Sequence, residues 1–293
     1  MLFGFDNLEK NLLTNFNEDK LHHGLLFSGA KGIGKFSFAL ELAKKILLSS
    51  SDQKQEDSQK IDSHSHPDLL IIQKEENKRD ITIDAVRGIT QFLSLTSAIS
   101  EQRIIIIDSI DELNKSSNNA ILKTLEEPPK NVFLILINHN PAKVMDTIKS
   151  RCQIIKIANP NYENFKLILK AENPEIDEED IEILSKLSDN SPGMALKMHQ
   201  FNAIELFEQI EELIKSDEQK EINKLAKAIA SDDDLWNIFE RLITFHFHNL
   251  VTKKQTSENI FIVIDKVNNL LQTTKNLALD KSQSVINIFA ILK

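Results

Sequence analysis

The stretch GAKGIGKFSF, Gly29 to Phe38, decides how the rest of the chain is read. The phosphate-binding loop pattern is G-x-x-x-x-G-K-[ST]. Gly29, Gly34 and Lys35 fit it, with Gly32 as a further glycine inside the loop. Phe36 stands where the pattern asks for a hydroxyl. Such a loop works because its backbone N–H groups and the following helix N-terminus point at phosphate oxygens. The lysine reaches the outer phosphates, and the hydroxyl holds magnesium. Gly29, Gly32, Gly34 and Lys35 therefore keep the cradle, while Phe36 cannot ligate a metal. Ser37 comes one residue late, rotated by about 100° around the helix.

The flanks supply the context the motif requires. GLLFSG reads as a strand running into the loop. After Lys35, apolar residues at Phe38, Ala39, Leu42, Ala43, Ile46 and Leu47 form a helical stripe. Further on, DLLII from Asp68, RIIIID from Arg103 to Asp108, VFLILI from Val132 to Ile137 and QIIKI from Gln153 read as strands. The unbroken branched runs are those of strands buried on both faces. Helical patterns lie between them, and NNAILKTLEE stops at Pro128-Pro129. Strands alternating with helices predict a parallel sheet covered on both sides.

Beyond Ile157 only helical patterns follow. The expected organisation is an α/β domain over 1–157, a small helical unit over 158–201 and an all-helical domain over 202–293. Ser49 to His66, SSSDQKQEDSQKIDSHSH, is almost without apolar residues and is expected to be a mobile polar loop. His64 and His66 at its end are expected to be solvated histidines, not metal ligands.

Composition narrows the function. The 293 residues carry 35 basic and 44 acidic side chains, a net charge of −9, which argues against a broad duplex-binding face. One cysteine, Cys152, excludes an internal disulfide and a multi-thiolate zinc site, and fits a reducing cytoplasm. No apolar run is long enough for a membrane span. The opening MLFGFDNLEKNLL has early acids and no basic-then-apolar order, so a signal peptide is not expected.

Asp108 closes the RIIIID strand, where phosphate-loop enzymes keep a carboxylate for the magnesium shell. In many of them a glutamate follows directly and polarises water; here Ser109 follows. The bland alternative is that Asp108 caps a turn.

DSIDELNKSSNNAILKTLEEPPKNVFLILI, followed by TIKSRCQ, resembles a clamp-loader AAA+ subunit of bacterial DNA polymerase III. The LKTLEEPP helix and the Ser150-Arg151-Cys152 motif carry the likeness. Asp108 to Asn114, SHPDLLII and ITIDAVRGITQFLSLTSAISEQRIIIID are similar to the delta prime type, not the tau/gamma motor type. The resemblance is specific over residues 20–160 and architectural beyond 200. It implies an AAA+ domain, a helical lid and a helical collar, assembled with delta and tau/gamma subunits to place a sliding clamp on primed DNA. It also implies that Arg151 is an arginine finger acting on ATP held by a neighbouring motor subunit, and that a sensor position falls at Asn138 or His139.

Three positions depart from an active motor: Phe36 for the magnesium hydroxyl, Ser109 for the catalytic glutamate, and Met194, in SPGMALK, for the lid arginine. Each loss removes a group aimed at the transferring phosphoryl. The expected protein hydrolyses no ATP, requires no cofactor, and holds magnesium-ATP poorly if at all. The four-cysteine zinc module of many delta prime subunits is replaced by the stretch 49–66, so no zinc is expected. An active tau/gamma-like ATPase, another phosphate-loop ATPase of DNA metabolism, and a plain nucleic-acid-binding protein are the competing readings. The first lacks its three residues; the second leaves LKTLEEPP and SRC unexplained. The third conflicts with the acidic balance and with phenylalanines that fall in helical apolar stripes.

Overall fold

A computed structural model of the chain describes residues 4–75, 80–94, 98–216, 218–252 and 260–293. Helix α1 (Asp6–Asn17) precedes β1 (Gly24–Ser28), which runs into the glycine loop and α2 (Lys35–Leu47). Then come α3 (Lys54–Asp62), β2 (Leu69–Gln73), α4 (Ile83–Ser94), β3 (Arg103–Asp108), α5 (Lys115–Glu126) and β4 (Val132–Asn138). The short α6 (Asp146–Lys149) leads to β5 (Gln153–Lys156) and α7 (Tyr162–Glu172).

The five strands form one parallel sheet in the order β2-β3-β4-β1-β5. Alternation along each strand sends side chains to opposite faces. Leu25, Phe27, Ile104, Ile106, Ile135 and Ile137 pack with α1 and α2 residues on one side. Leu26, Ile105, Ile107, Leu134 and Leu136 pack with α4 and α5 residues on the other. Ile104 to Ile107 are all fully buried, which is why RIIIID shows no polar alternation. The expected stripe of α2, Phe38, Ala39, Leu42, Ala43, Ile46 and Leu47, is the face it buries. Asn114 caps α5, its side chain accepting from the Ser117 N–H at 2.9 Å. The helix ends at Glu126, two residues before a proline pair that disfavours helical backbone ahead of it.

The chain divides into two compact units, Met1–Ile168 and Leu169–Lys293. The second is helical among its described residues: α8 (Glu178–Ser188), α9 (Pro192–Gln200), α10 (Ala203–Lys215), α11 (Gln219–Ala230), α12 (Asp233–Thr252), α13 (Ile260–Leu277) and α14 (Lys281–Leu292). Its phenylalanines Phe239, Phe247 and Phe289 are core residues, as their helical spacing suggests. Among the described residues no helix is long and apolar enough to cross a membrane.

The stretch 49–66 departs from the expected mobile loop. It contains α3, which buries Asp57 and Ile61, one turn apart. Ser51 Oγ donates to Asp57 at 2.6 Å and accepts from the Gln53 N–H at 3.0 Å. That hydroxyl is the main reason the Asp57 carboxyl titrates below its usual range. His66 is 2% exposed and accepts a 3.2 Å bond from the Asp68 N–H at Nδ1, so it is a buried histidine and not a solvated one. Burial lowers its pKa. A single apolar anchor and a buried hydroxyl–carboxylate pair hold this segment, a combination that counting apolar residues passes over.

Candidate functional site

The carboxyl ends of β1, β3 and β4 bring the expected loop residues together. Gly32 and Gly34 have φ of +84° and +86°, left-handed backbone that residues with a β-carbon rarely adopt. Gly29 is required for a different reason: a β-carbon there would run into the carbonyl oxygen of Ile157. Gly34 opens α2 by accepting from the Phe38 N–H at 2.9 Å. The cradle is thus built as its glycines indicate.

Its contents differ from those of a working ATPase. Lys35 is 2% exposed, and its ammonium donates to the carbonyl oxygens of Gly29, at 2.8 Å, and Ala30. Burial pushes its pKa down to about 8 against the opposing pull of the Asp108 and Asp111 carboxylates. Phe36 is half-buried and packs against the core beside α2. Its ring meets that of His64 edge to face, with centroids 6.0 Å apart. Ser37 is exposed and supplies no substitute hydroxyl.

Asp108, at the end of β3, faces His139 Nε2 at 3.3 Å, and Asp111 Oδ1 accepts from the His139 N–H at 2.9 Å. Of the two sensor positions, Asn138 is 1% exposed and donates to Ser28 Oγ at 3.3 Å, whereas His139 is turned to the carboxylates. Ser109 Oγ is buried with no hydrogen-bond partner. Two of these groups do not fit a magnesium–nucleotide: the metal hydroxyl is an aromatic ring, and the strand-end carboxylate faces an imidazole. Sequence reading singled out Asp108 and His139 separately and did not pair them. The parallel register brings them together by setting Asp108 beside Ile137, two residues before His139. Met194 is half-buried on α9 in the second unit.

Arg151 lies at the opposite, amino end of the strands. It follows α6 and precedes β5, whose Gln153 pairs with Leu25 near the start of β1. A β-carbon on Gly24 would stand 3.2 Å from the Arg151 carbonyl and 3.3 Å from Cys152 Sγ. The glycine loop is at the far end of that same strand, about 15 Å away at the usual rise per residue. Arg151 and Lys35 therefore do not share a site within one chain. The guanidinium donates to the Thr147 carbonyl at 2.9 Å and Ser150 Oγ at 3.1 Å, and pairs with Glu126 at 2.8 Å. A surface recess of about 440 Å³ beside it is lined by His22, His23, Leu125, Glu126, Ser150 and Arg151. His23 bonds the Leu125 carbonyl through Nε2 at 3.0 Å, which makes that nitrogen the proton carrier. Burial is the main cause that lowers its pKa. Cys152 is held as a thiol, its pKa pushed up to about 12 by burial, so it packs and does not react.

Residues 5–161, more than half of the chain, match the family model described as DNA polymerase III, delta subunit. The chain is 29% identical over 198 residues to the DNA polymerase III subunit delta′ of Pseudomonas aeruginosa, covering 66% of this chain and 60% of that protein. It is 31% identical over 200 residues to the delta′ subunit of Haemophilus influenzae, again 66% and 60%. Against the delta′ subunit of Bacillus subtilis, identity is 33% over 150 residues, 50% of this chain and 45% of that one. The matched region thus spans about half to three-fifths of these relatives. The crystal structure of a DNA polymerase III gamma subunit-related protein from Thermotoga maritima superposes with a TM-score of 0.53 at 18% identity, over 98% of both chains, a likeness of fold.

Proposed function

The chain belongs to the DNA polymerase III delta-subunit family, and from that premise we propose that it serves as the delta prime subunit of a cytoplasmic clamp loader. In this reading it assembles with delta and tau/gamma subunits and helps place a sliding clamp on primed DNA. It hydrolyses no ATP itself, needs neither bound nucleotide nor zinc, and presents Arg151 to ATP held by a neighbouring motor subunit. Residues 158–201 act as the lid and 202–293 as the collar through which the subunits join. The exposed Phe261 and Ile262 on α13 supply apolar surface of the kind such a junction covers.

The observation that carries the proposal is the separation of Arg151 from the loop of its own chain, at opposite ends of β1. An arginine placed there has no phosphate to serve in cis, yet it sits on the surface with its fork half-open to solvent. On a neighbour's γ-phosphate it would offset the charge that spreads over the equatorial oxygens during transfer, the main lever in this chemistry. The degenerate positions supply the other half: Phe36, Ser109 and Met194 stand in place of the magnesium hydroxyl, the water-activating glutamate and the lid arginine.

Reconstitution tests the reading. The purified chain, mixed with delta and tau/gamma subunits, is expected to enter one stable complex that loads clamp on primed DNA; omission of the chain should abolish loading. A chain that stays outside the complex, or that turns over ATP alone, contradicts it.

A further inference from the structure

Arg151 is gripped from two directions. Its Nη1 donates to the Thr147 carbonyl and Ser150 Oγ, both within its own turn of chain, and these two bonds set the plane of the guanidinium. Its Nη2 is taken by Glu126 Oε1 at 2.8 Å. Glu126 is the last residue of α5, with Glu127 directly after it. An acid at the carbonyl end of a helix faces the negative pole of the macrodipole, so the helix gains nothing from Glu126. The same planar fork that holds a carboxylate holds two phosphate oxygens. One nitrogen cannot serve both fully, and a phosphate brought to Arg151 meets a carboxylate of its own sign in the recess.

We propose that Glu126 is a positioning residue that restrains Arg151, keeping the guanidinium on this chain until a nucleoside triphosphate of the neighbouring subunit displaces the carboxylate. The inference rests on the assignment of Arg151 as a trans-acting arginine. Because Thr147 and Ser150 already orient the side chain, loss of Glu126 frees a donor without loosening the fork. The pair is half-exposed, so the restraint is modest and salt-sensitive: an exposed ion pair corresponds to about a two- to fivefold change in competing phosphate binding.

The test uses the assembled complex in which only the motor subunit next to this chain keeps its loop lysine, with clamp and primed DNA present. Turnover against ATP concentration is measured for the wild-type chain, Glu126→Gln, Arg151→Ala and the double variant. Glu126→Gln should lower KM for ATP about two- to fivefold with kcat unchanged, and the difference should shrink as salt rises. In the Arg151→Ala background the same substitution should do nothing. A fall in kcat with Glu126→Gln would mean that the carboxylate aligns the arginine for catalysis, and would overturn the restraint; so would an equal KM shift without Arg151. If Arg151→Ala is defective while Glu126→Gln behaves as wild type, the restraint fails and the arginine assignment stands. If Arg151→Ala is itself silent, both fall.

Discussion

Phe36 and His64 meet edge to face, ring centroids 6.0 Å apart, at the point where a working phosphate loop would carry its metal hydroxyl. The contact ties the start of α2 to the segment that follows α3, so the position has acquired a packing role.

Phe36→Ser should therefore lower stability without creating an enzyme. Loss of a half-buried aromatic ring and its edge contact costs about 1–3 kcal/mol. Ser109 still stands where the water-activating glutamate would be. Urea unfolding and a steady-state ATPase assay check this together. Unchanged stability, or turnover above background, would go against it.

The buried ammonium of Lys35 gives a pH signature. Its pKa is lowered from 10.5 to about 8, so the unfolded chain binds more protons than the folded one between those values. Stability from this residue thus rises as pH goes from about 8 to 10.5, and its burial penalty is carried in full below pH 8. Relative to Lys35→Met, the wild-type protein should gain about 2–3 kcal/mol over that window. A stability difference that stays flat across it would show that the ammonium is not desolvated.

Lys35→Ala should leave clamp loading intact in the reconstituted complex. Phe36 in place of the metal hydroxyl leaves the lysine without the magnesium partner it works with. Loading activity that collapses while the melting temperature holds would show that this loop serves a nucleotide.

Asp57→Asn tests the unexpected helix. The Ser51 hydroxyl, first, and Lys60 hold the Asp57 carboxyl below its ordinary range against the effect of burial. A group with a depressed folded pKa adds stability above its unfolded pKa, and that stability is lost as pH falls through the folded one. The substitution should cost about 1–3 kcal/mol at pH 7 and less in acid. It should also speed amide exchange in residues 54–62. Exchange as fast in the wild type as in the variant would return the segment to a loop.

How much of this was legible depends on the range of each interaction. RIIIID and VFLILI announced a doubly covered sheet because their runs Ile104–Ile107 and Val132–Ile137 are unbroken by polar residues, and the α2 stripe gave its buried face residue by residue. Gly29, Gly32 and Gly34 declared the loop through backbone demands that are local. Helix α3 was hidden because its anchors are one isoleucine and a Ser51–Asp57 bond, which no apolar period reports. The Asp108–His139 pair was hidden because its residues are apart in sequence and meet only through the β3–β4 register, and the Glu126–Arg151 pair because it joins the end of α5 to the turn after α6.

The most direct measurement is ATP turnover by a complex verified to contain Arg151→Ala. One half-exposed arginine adds little to folding, so the variant should fold and assemble normally. Turnover at the adjacent motor site, stimulated by clamp and primed DNA, should fall by about 10³-fold or more, although the altered chain has no working site of its own. Arg151→Lys should not rescue it, since an ammonium lacks the planar fork. Wild-type turnover and loading in that complex would contradict the account.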